Sequence, residues 1–209
     1  MGLELPLWDN IKGKRLVLAS ASPRRKEIME DMGLAFDVVT TLAPDENNPA
    51  NYKTSEEYVA DTALMKAIEV FGRCKTETSL EEADIVIGAD TVVVIQGKIL
   101  EKPRSEQEAL DMIGQLSGQT HTVLTAVQIL KKEKEGYSQS GFVENTSVTF
   151  SIIDKVVQEA YVRSGEPFDK AGGYGIQGSA SLFVESINGD YWNVVGLPKN
   201  HLYRKLKLL

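Results

Sequence analysis

Apolar and polar positions along the chain alternate between two periods, and the first clear run is Leu16-Val17-Leu18-Ala19. It is continuously apolar, as a strand buried on both faces would be, and it stops in the small residues Ser20-Ala21-Ser22. Ser22 suits a helix N-cap, and Pro23 suits the first helical position, where the N–H has no partner anyway. The pattern therefore predicts a helix over Pro23–Met32, closed by Gly33. Phe36–Thr40 is a second predicted strand. The periodicity then breaks: Leu42–Lys53 carries Pro44, Pro49, three asparagines and Asp45-Glu46 without an apolar repeat, and reads as a loop. Loops of this length inside compact domains are often functional. With Thr54 or Ser55 as cap, Val59, Ala63, Ala67, Val70 and Phe71 recur at helical spacing as far as Lys75.

Ala83–Thr91 reads as an interior strand that ends in Gly88-Ala89-Asp90. Thr91–Ile95 and Lys98–Leu100 form a hairpin around Gln96-Gly97 that brings Lys102 back toward Asp90. Ser105 and Glu108 make a capping box for a helix that ends at Gly118. Thr120–Leu130 and Gly141–Ile153 are two long strands joined by the charged turn Lys131–Gly136, expected in the outer part of the sheet. Asp154 is placed to cap a helix reaching Ser164, stopped by Gly165. Glu166–Gly178 holds four glycines. It is either a flexible linker or a loop whose backbone approaches a ligand, and Tyr174, Ile176 and Gln177 set between the glycines favour the loop. Strands Leu182–Ile187 and Tyr191–Val195 around an Asn188-Gly189 turn, then a closing helix over Pro198–Leu208, complete the reading. No internal repeat or domain boundary interrupts it.

Composition narrows the chemistry. At 209 residues, 42% hydrophobic and 25% charged, the chain fits one large domain or two lobes sharing a core. A net charge of −7 argues against a general nucleic-acid surface and leaves room only for a local basic site. Cys74 is the single cysteine, so there is no disulfide framework, and with only His121 and His201 there is no Cys/His zinc site; a metal would need oxygen ligands. Met1–Asn10 lacks a basic region followed by a long apolar run, and no stretch approaches the ~20 apolar residues of a membrane span. No membrane association and a cytoplasmic location are expected.

Three places stand out chemically. Arg24 and Arg25 fall in the first turn of a helix, the end that repels cations unless an anion joins them. Small residues, free N–H groups and two guanidinium groups make a phosphate cradle, although pairing with Glu27 or Asp31 would also explain them. Lys66 has Thr62, Ala63, Ala67 and Val70 as its helical neighbours and lies toward the buried side, either snorkelling to water or serving a site. Asp90, directly after a buried run, is either an Asx-turn acceptor or a carboxylate facing a cleft.

Taken in order, Leu18-Ala19-Ser20-Ala21-Ser22-Pro23-Arg24-Arg25, Gly88-Ala89-Asp90-Thr91 with Leu100-Glu101-Lys102-Pro103, and Asp169-Lys170-Ala171-Gly172-Gly173-Tyr174-Gly175-Ile176-Gln177-Gly178 resemble the Maf family of nucleoside triphosphate pyrophosphatases. Leu116-Ser117-Gly118 and Val195-Gly196-Leu197-Pro198 add to the resemblance, which runs from about Arg15 to the end and leaves residues 1–14 as an N-terminal extension to a domain over 15–209. The resemblance implies an α/β fold of the Maf/inosine-triphosphatase type: an elongated mixed sheet flanked by helices, with two lobes around a central cleft. It implies a homodimer and a divalent metal, Mg²⁺ or Mn²⁺. The implied reaction is hydrolysis of a nucleoside triphosphate between its α and β phosphates to a monophosphate and pyrophosphate, in a nucleotide-pool cleansing role.

Carried over residue by residue, the resemblance makes Asp90 the catalytic carboxylate and Ser20, Arg24, Lys66 and Lys102 the phosphate-binding groups. Arg25, Thr91 and Gln177 match the positions that mark members preferring dTTP and UTP over 7-methyl-GTP. An amide such as Gln177 offers a donor and an acceptor to the imide edge of thymine or uracil. The loop after the second strand also supplies an acidic residue in the family, here Glu46 or Asp45, and with Asp90 it makes an oxygen donor set for the metal. Gly172-Gly173 departs from the Gly-Ala of many members. Two other classes compete: a nucleotide-binding regulatory module without turnover, against which the intact Asp90 argues, and a dinucleotide oxidoreductase, against which the absence of Gly-x-Gly-x-x-Gly after the first strand argues.

Overall fold

The protein is described by a computed structural model over residues 8–42 and 47–209. Its strands are β1 (Leu16–Ala19), β2 (Asp37–Val38), β3 (Ile85–Ile95), β4 (Lys98–Leu100), β5 (Thr120–Lys132), β6 (Tyr137–Phe150) and β7 (Val184–Asn188). The helices are α1 (Pro23–Asp31), α2 (Ser55–Thr76), α3 (Glu106–Leu116), α4 (Lys155–Arg163), α5 (Tyr191–Val195) and α6 (Lys199–Leu206). One seven-stranded mixed sheet runs β2-β1-β3-β5-β6-β7, with β4 added to β3. β1 is parallel to both β2 and β3, while the β3–β4 and β6–β7 pairs are antiparallel. No helix among the described residues is long and apolar enough to cross a membrane.

The chain divides into two compact units. The first comprises residues 1–90, 126–143 and 196–209, and the second 91–125 and 144–195. In the first, Val17, Ala19 and Val86 of the sheet pack with Ala67, Val70 and Cys74 of α2. Every residue of β1 is buried, as its unbroken apolar run requires, at about 1.5–3 kcal/mol for each large side chain. Residues ahead of β1 join this unit: Trp8 Nε1 donates to the Met32 carbonyl at 3.1 Å, and Asn10 Nδ2 to the Leu206 carbonyl at 2.7 Å. In the second, Val93, Ile113, Leu116, Val148, Phe150, Tyr161 and Phe183 form the core.

Four expectations change. The strand expected to stop at Asp90 continues to Ile95, so Asp90 lies within β3 and is no Asx-turn residue. β5, expected toward the outside of the sheet, lies between β3 and β6, and its run Val123–Leu130 is buried throughout. Tyr191–Val195 is a short helix rather than a strand. Its aromatic and β-branched residues favour a strand, but Asp190 Oδ1 accepts from the Trp192 N–H at 2.8 Å and caps a turn. The buried Asn193 amide then donates to the Val123 carbonyl at 3.0 Å and to Thr146 Oγ1 at 2.8 Å. Asp154 does precede α4, but its side chain makes no capping bond.

Candidate active site

In the first unit the strand order β2-β1-β3 reverses direction at β1, and ligands of open α/β sheets gather at the carboxyl ends of strands flanking such a switch. The register Ala19↔Gly88 brings Ser20, just past β1, level with the Ala89-Asp90 stretch of β3. Ser22 caps α1, and Pro23 opens it as expected. The Arg25 guanidinium turns back over this cap: its Nη1 donates to Ser20 Oγ at 3.0 Å and its Nε to the Gly196 carbonyl at 2.9 Å. Ser20 Oγ also accepts from the Ser22 N–H at 3.2 Å. Burial pulls the Arg25 guanidinium below its ordinary value, the Asp90 carboxylate opposes that pull, and the Arg24 charge adds to it. The first turn of α1 holds no acidic residue, and Asp31 pairs with Lys199 at 3.3 Å. The small residues, helix N-terminus and guanidinium groups thus make an electropositive corner suited to an anion.

Beside it, Lys66 Nζ lies 2.6 Å from Asp90 Oδ1, with side-chain exposures of 21% and 8%. Lys66 therefore points inward to a carboxylate rather than out to water. Gly88 is what lets α2 come this close to β3: a Cβ there would sit 2.4 Å from the Ala63 carbonyl oxygen and 2.8 Å from Ala67 Cβ. A buried charge is costly without a partner, and here each ion supplies the other's. Glu46 and Asp45, the acidic residues expected from the long loop, lie outside the described residues.

In the second unit, Thr91 follows Asp90 in β3 and, by strand alternation, faces the other way. Its Oγ1 lies 2.9 Å from Thr125 Oγ1 of β5. Lys102, just after β4, is exposed, and so is Gln177. The glycine-rich stretch around Gln177 is a series of short helical turns rather than a linker. Glu166 closes it, because its carboxylate accepts from the Ser179 N–H at 2.9 Å, the Ala180 N–H at 3.4 Å and the Tyr161 hydroxyl at 3.2 Å. These bonds hold the Glu166 carboxyl below its ordinary value against the opposing effect of burial. Gly172 has φ +67° and no room for a side chain, since a Cβ would meet Val93 Cγ2 at 2.7 Å.

Residues 15–209 match the family of Maf-like proteins, which covers both units and every candidate residue. The chain belongs to the Maf family. It is 44% identical over 205 residues to the "Probable bifunctional dTTP/UTP pyrophosphatase/methyltransferase protein" of Homo sapiens, an alignment covering 96% of this chain and 33% of that protein. This chain thus spans about one third of the length of the human relative. A "dTTP/UTP pyrophosphatase" of Bacillus cereus strain ATCC 10987 is 44% identical over 194 residues, covering 93% of this chain and 89% of the relative. The protein of the same name from strain AH820 is 43% identical, with 93% and 95% covered.

Within this Maf chain several residues that shape the site escaped the sequence reading. Gly88 was visible as a lone glycine in an apolar strand, a sign of close backbone approach. The Gly196 carbonyl, Glu166, Thr125 and Asn193 act through contacts that residue type does not announce. A separate cavity of about 700 Å³, lined among others by Lys14, Arg15, Lys26, Glu30 and Asp37, shares no residue with the site. Two ion pairs lie in its lining, Arg15 Nε with Asp37 Oδ2 at 2.7 Å and Lys26 Nζ with Glu30 Oε1 at 3.6 Å.

Proposed function

We propose that this Maf-family chain hydrolyses UTP and dTTP between the α and β phosphates, releasing a nucleoside monophosphate and pyrophosphate and so clearing these or modified pyrimidine nucleotides from the pool. The observation that carries this reading is the buried Asp90 carboxylate, held by Lys66 at 2.6 Å in the same unit as the Ser20, Arg24 and Arg25 corner. Its pyrimidine preference rests on the dTTP/UTP names of the relatives and on Arg25, Thr91 and Gln177. In the reaction, a water oxygen bonds the α-phosphorus, the α–β bridging P–O bond breaks, and pyrophosphate leaves with the electron pair. Asp90 orients that water and holds its proton. Ser20, Arg24, Lys66 and Lys102 bind the phosphate oxygens and offset the charge that grows on the leaving group, the type of electrostatic support that dominates phosphoryl transfer.

Mg²⁺ or Mn²⁺ fits this donor set. Carboxylate oxygens are the donors such hard cations take, with water and phosphate oxygens completing the shell; among the described residues no three His, Cys, Asp or Glu side chains gather around one point. Asp90 would hold it, with Glu46 as the second carboxylate. When bound, such a cation lowers the pKa of water and screens the triphosphate. A homodimer in the cytoplasm completes the reading on family resemblance alone, and a one-chain mass in sedimentation would remove the dimer from it.

The test is pyrophosphate release from UTP, dTTP, CTP, GTP and 7-methyl-GTP with Mg²⁺, Mn²⁺ or a chelator, comparing the native chain with Asp90→Asn. UTP and dTTP should turn over fastest, and Asp90→Asn should lower the rate about 10²–10⁴-fold. Tight UTP binding without turnover would make the chain a regulatory module, and turnover of 7-methyl-GTP alone would keep the chemistry and overturn the base preference.

A further inference from the structure

We infer that Arg25 positions Ser20 for phosphate: it and the Ser22 N–H fill both lone pairs of the Ser20 hydroxyl, which then meets a ligand only as a donor to an ionised phosphate oxygen. This role rests on the proposed reading of Ser20 as a phosphate-binding group. Ser20, Ser22, Arg25 and Gly196 all lie in the first unit. Ser20 Oγ accepts from Arg25 Nη1 at 3.0 Å and from the Ser22 N–H at 3.2 Å. A serine oxygen has two lone pairs and one proton. With both lone pairs taken, the proton is all that Ser20 has left to give. Ser20 is 6% exposed, and among the described residues nothing accepts that proton. A buried donor without an acceptor is costly, and a phosphate oxyanion is the partner that would relieve it.

Both donors are pinned. Ser22 is the N-cap of α1, its Oγ accepting from the Arg25 N–H at 3.5 Å, so its own N–H stays fixed ahead of the helix. Arg25 Nε donates to the Gly196 carbonyl at 2.9 Å, and a planar guanidinium held there cannot swing Nη1 off Ser20 without straining that bond. A hydroxyl with a spare lone pair rotates and serves donors and acceptors alike, whereas one whose oxygen is filled penalises any ligand that cannot accept. A cation donating into the oxygen also polarises the O–H bond and strengthens it as a donor. Ser20 stands just past the carboxyl end of β1 and ahead of the N-terminus of α1, whose N–H groups favour the same anion. Arg25 thus acts on phosphate through Ser20, a role separate from the base preference that it marks.

Inorganic pyrophosphate is the probe, since it carries phosphates without base or sugar. Calorimetry in Mg²⁺ compares its Kd for the native chain, Arg25→Lys, Ser20→Ala and the double variant. Lysine keeps the charge but has no planar fork to hold Gly196 and Ser20 together. Arg25→Lys and Ser20→Ala should each weaken binding about tenfold, and the double variant should also lose only about tenfold, because without the hydroxyl there is nothing left to position. Losses that multiply to about a hundredfold overturn the inference, since Arg25 would then meet phosphate directly or merely support the fold, and so does a native Kd in Arg25→Lys. Should Arg25→Lys fail to fold, Ser20→Ala, which removes one oxygen, decides alone: a Kd within about twofold of the native value means that the Ser20 proton serves no phosphate, and overturns it. No measurable pyrophosphate binding by the native chain overturns it as well. A chain that turns over UTP but fails these tests keeps its proposed function. One that releases pyrophosphate from no nucleotide loses that function, while the pyrophosphate Kd values still decide the role of Arg25.

Discussion

Lys66 and Asp90 are 24 residues apart in sequence and 2.6 Å apart in space, and neither would be comfortable where it is without the other. Replacing Lys66 by Met leaves a carboxylate that is 5% exposed with its cation gone, and the expected cost is about 3 kcal/mol of folding stability. The double variant Lys66→Met with Asp90→Asn should recover most of that loss, because the stranded charge disappears with its partner. Urea unfolding of the native chain, both single variants and the double closes this cycle, and additive losses would show that the two ions do not act as a pair. Each residue was legible in the sequence, Lys66 by its small and apolar helical neighbours and Asp90 by the buried run before it. Their pairing was not, since the expected partner for Asp90 was Lys102. Spacing along one helix or one strand says which side a residue faces but not which residue it meets across an element boundary.

That boundary is made by Gly88, where α2 lies against β3. Adding one methyl group there drives a Cβ to 2.4 Å from the Ala63 carbonyl oxygen, backbone that cannot rotate aside. Gly88→Ala should therefore push α2 outward, cost about 1–3 kcal/mol, and draw Lys66 away from Asp90. A thermal midpoint equal to the native one would mean the helix yields without strain. Element type was readable wherever a long period supports it: Thr54 caps α2 and Ser105 caps α3 through bonds to Glu57 and Glu108 at 3.1 and 3.2 Å. It failed where five residues decide. Tyr191–Val195 has the composition of a strand, and its helical form depends on Asp190 and on the buried Asn193 amide, whose partners lie 47 and 70 residues away in sequence. The same distant contacts hold the Asn193 carbonyl, which accepts from the buried Thr125 hydroxyl at 3.0 Å.

Across the whole molecule, the mixed α/β class followed from the order of buried runs and helical patterns, but the place of β5 inside the sheet did not, because periodicity marks a buried face without naming the neighbouring strand. One consequence of that interior placement concerns pH. His121, on β5, is 2% exposed; its Nε2 lies 2.7 Å from the Tyr174 hydroxyl, its ring meets Phe150 edge-on at 4.9 Å, and its Nδ1 has no hydrogen-bond partner among the described residues. Burial lowers its pKa from 6.5 to about 4, since a charged ring would carry a second N–H with nowhere to donate it. Between those two values the unfolded chain binds a proton that the folded chain refuses, so stability rises with pH across that window. The contribution is complete above about pH 6.5 and is lost as pH falls toward about 4, amounting to about 3 kcal/mol. His121→Gln keeps a polar partner for Tyr174 but cannot titrate. The difference in unfolding free energy between native and variant should therefore shrink by about 3 kcal/mol as urea titrations move from pH 7 to pH 4. Carboxylates titrate alike in both proteins and drop out of the comparison, so parallel stability curves would mean that His121 takes its proton in the folded state and that the core of the second unit opens to admit it.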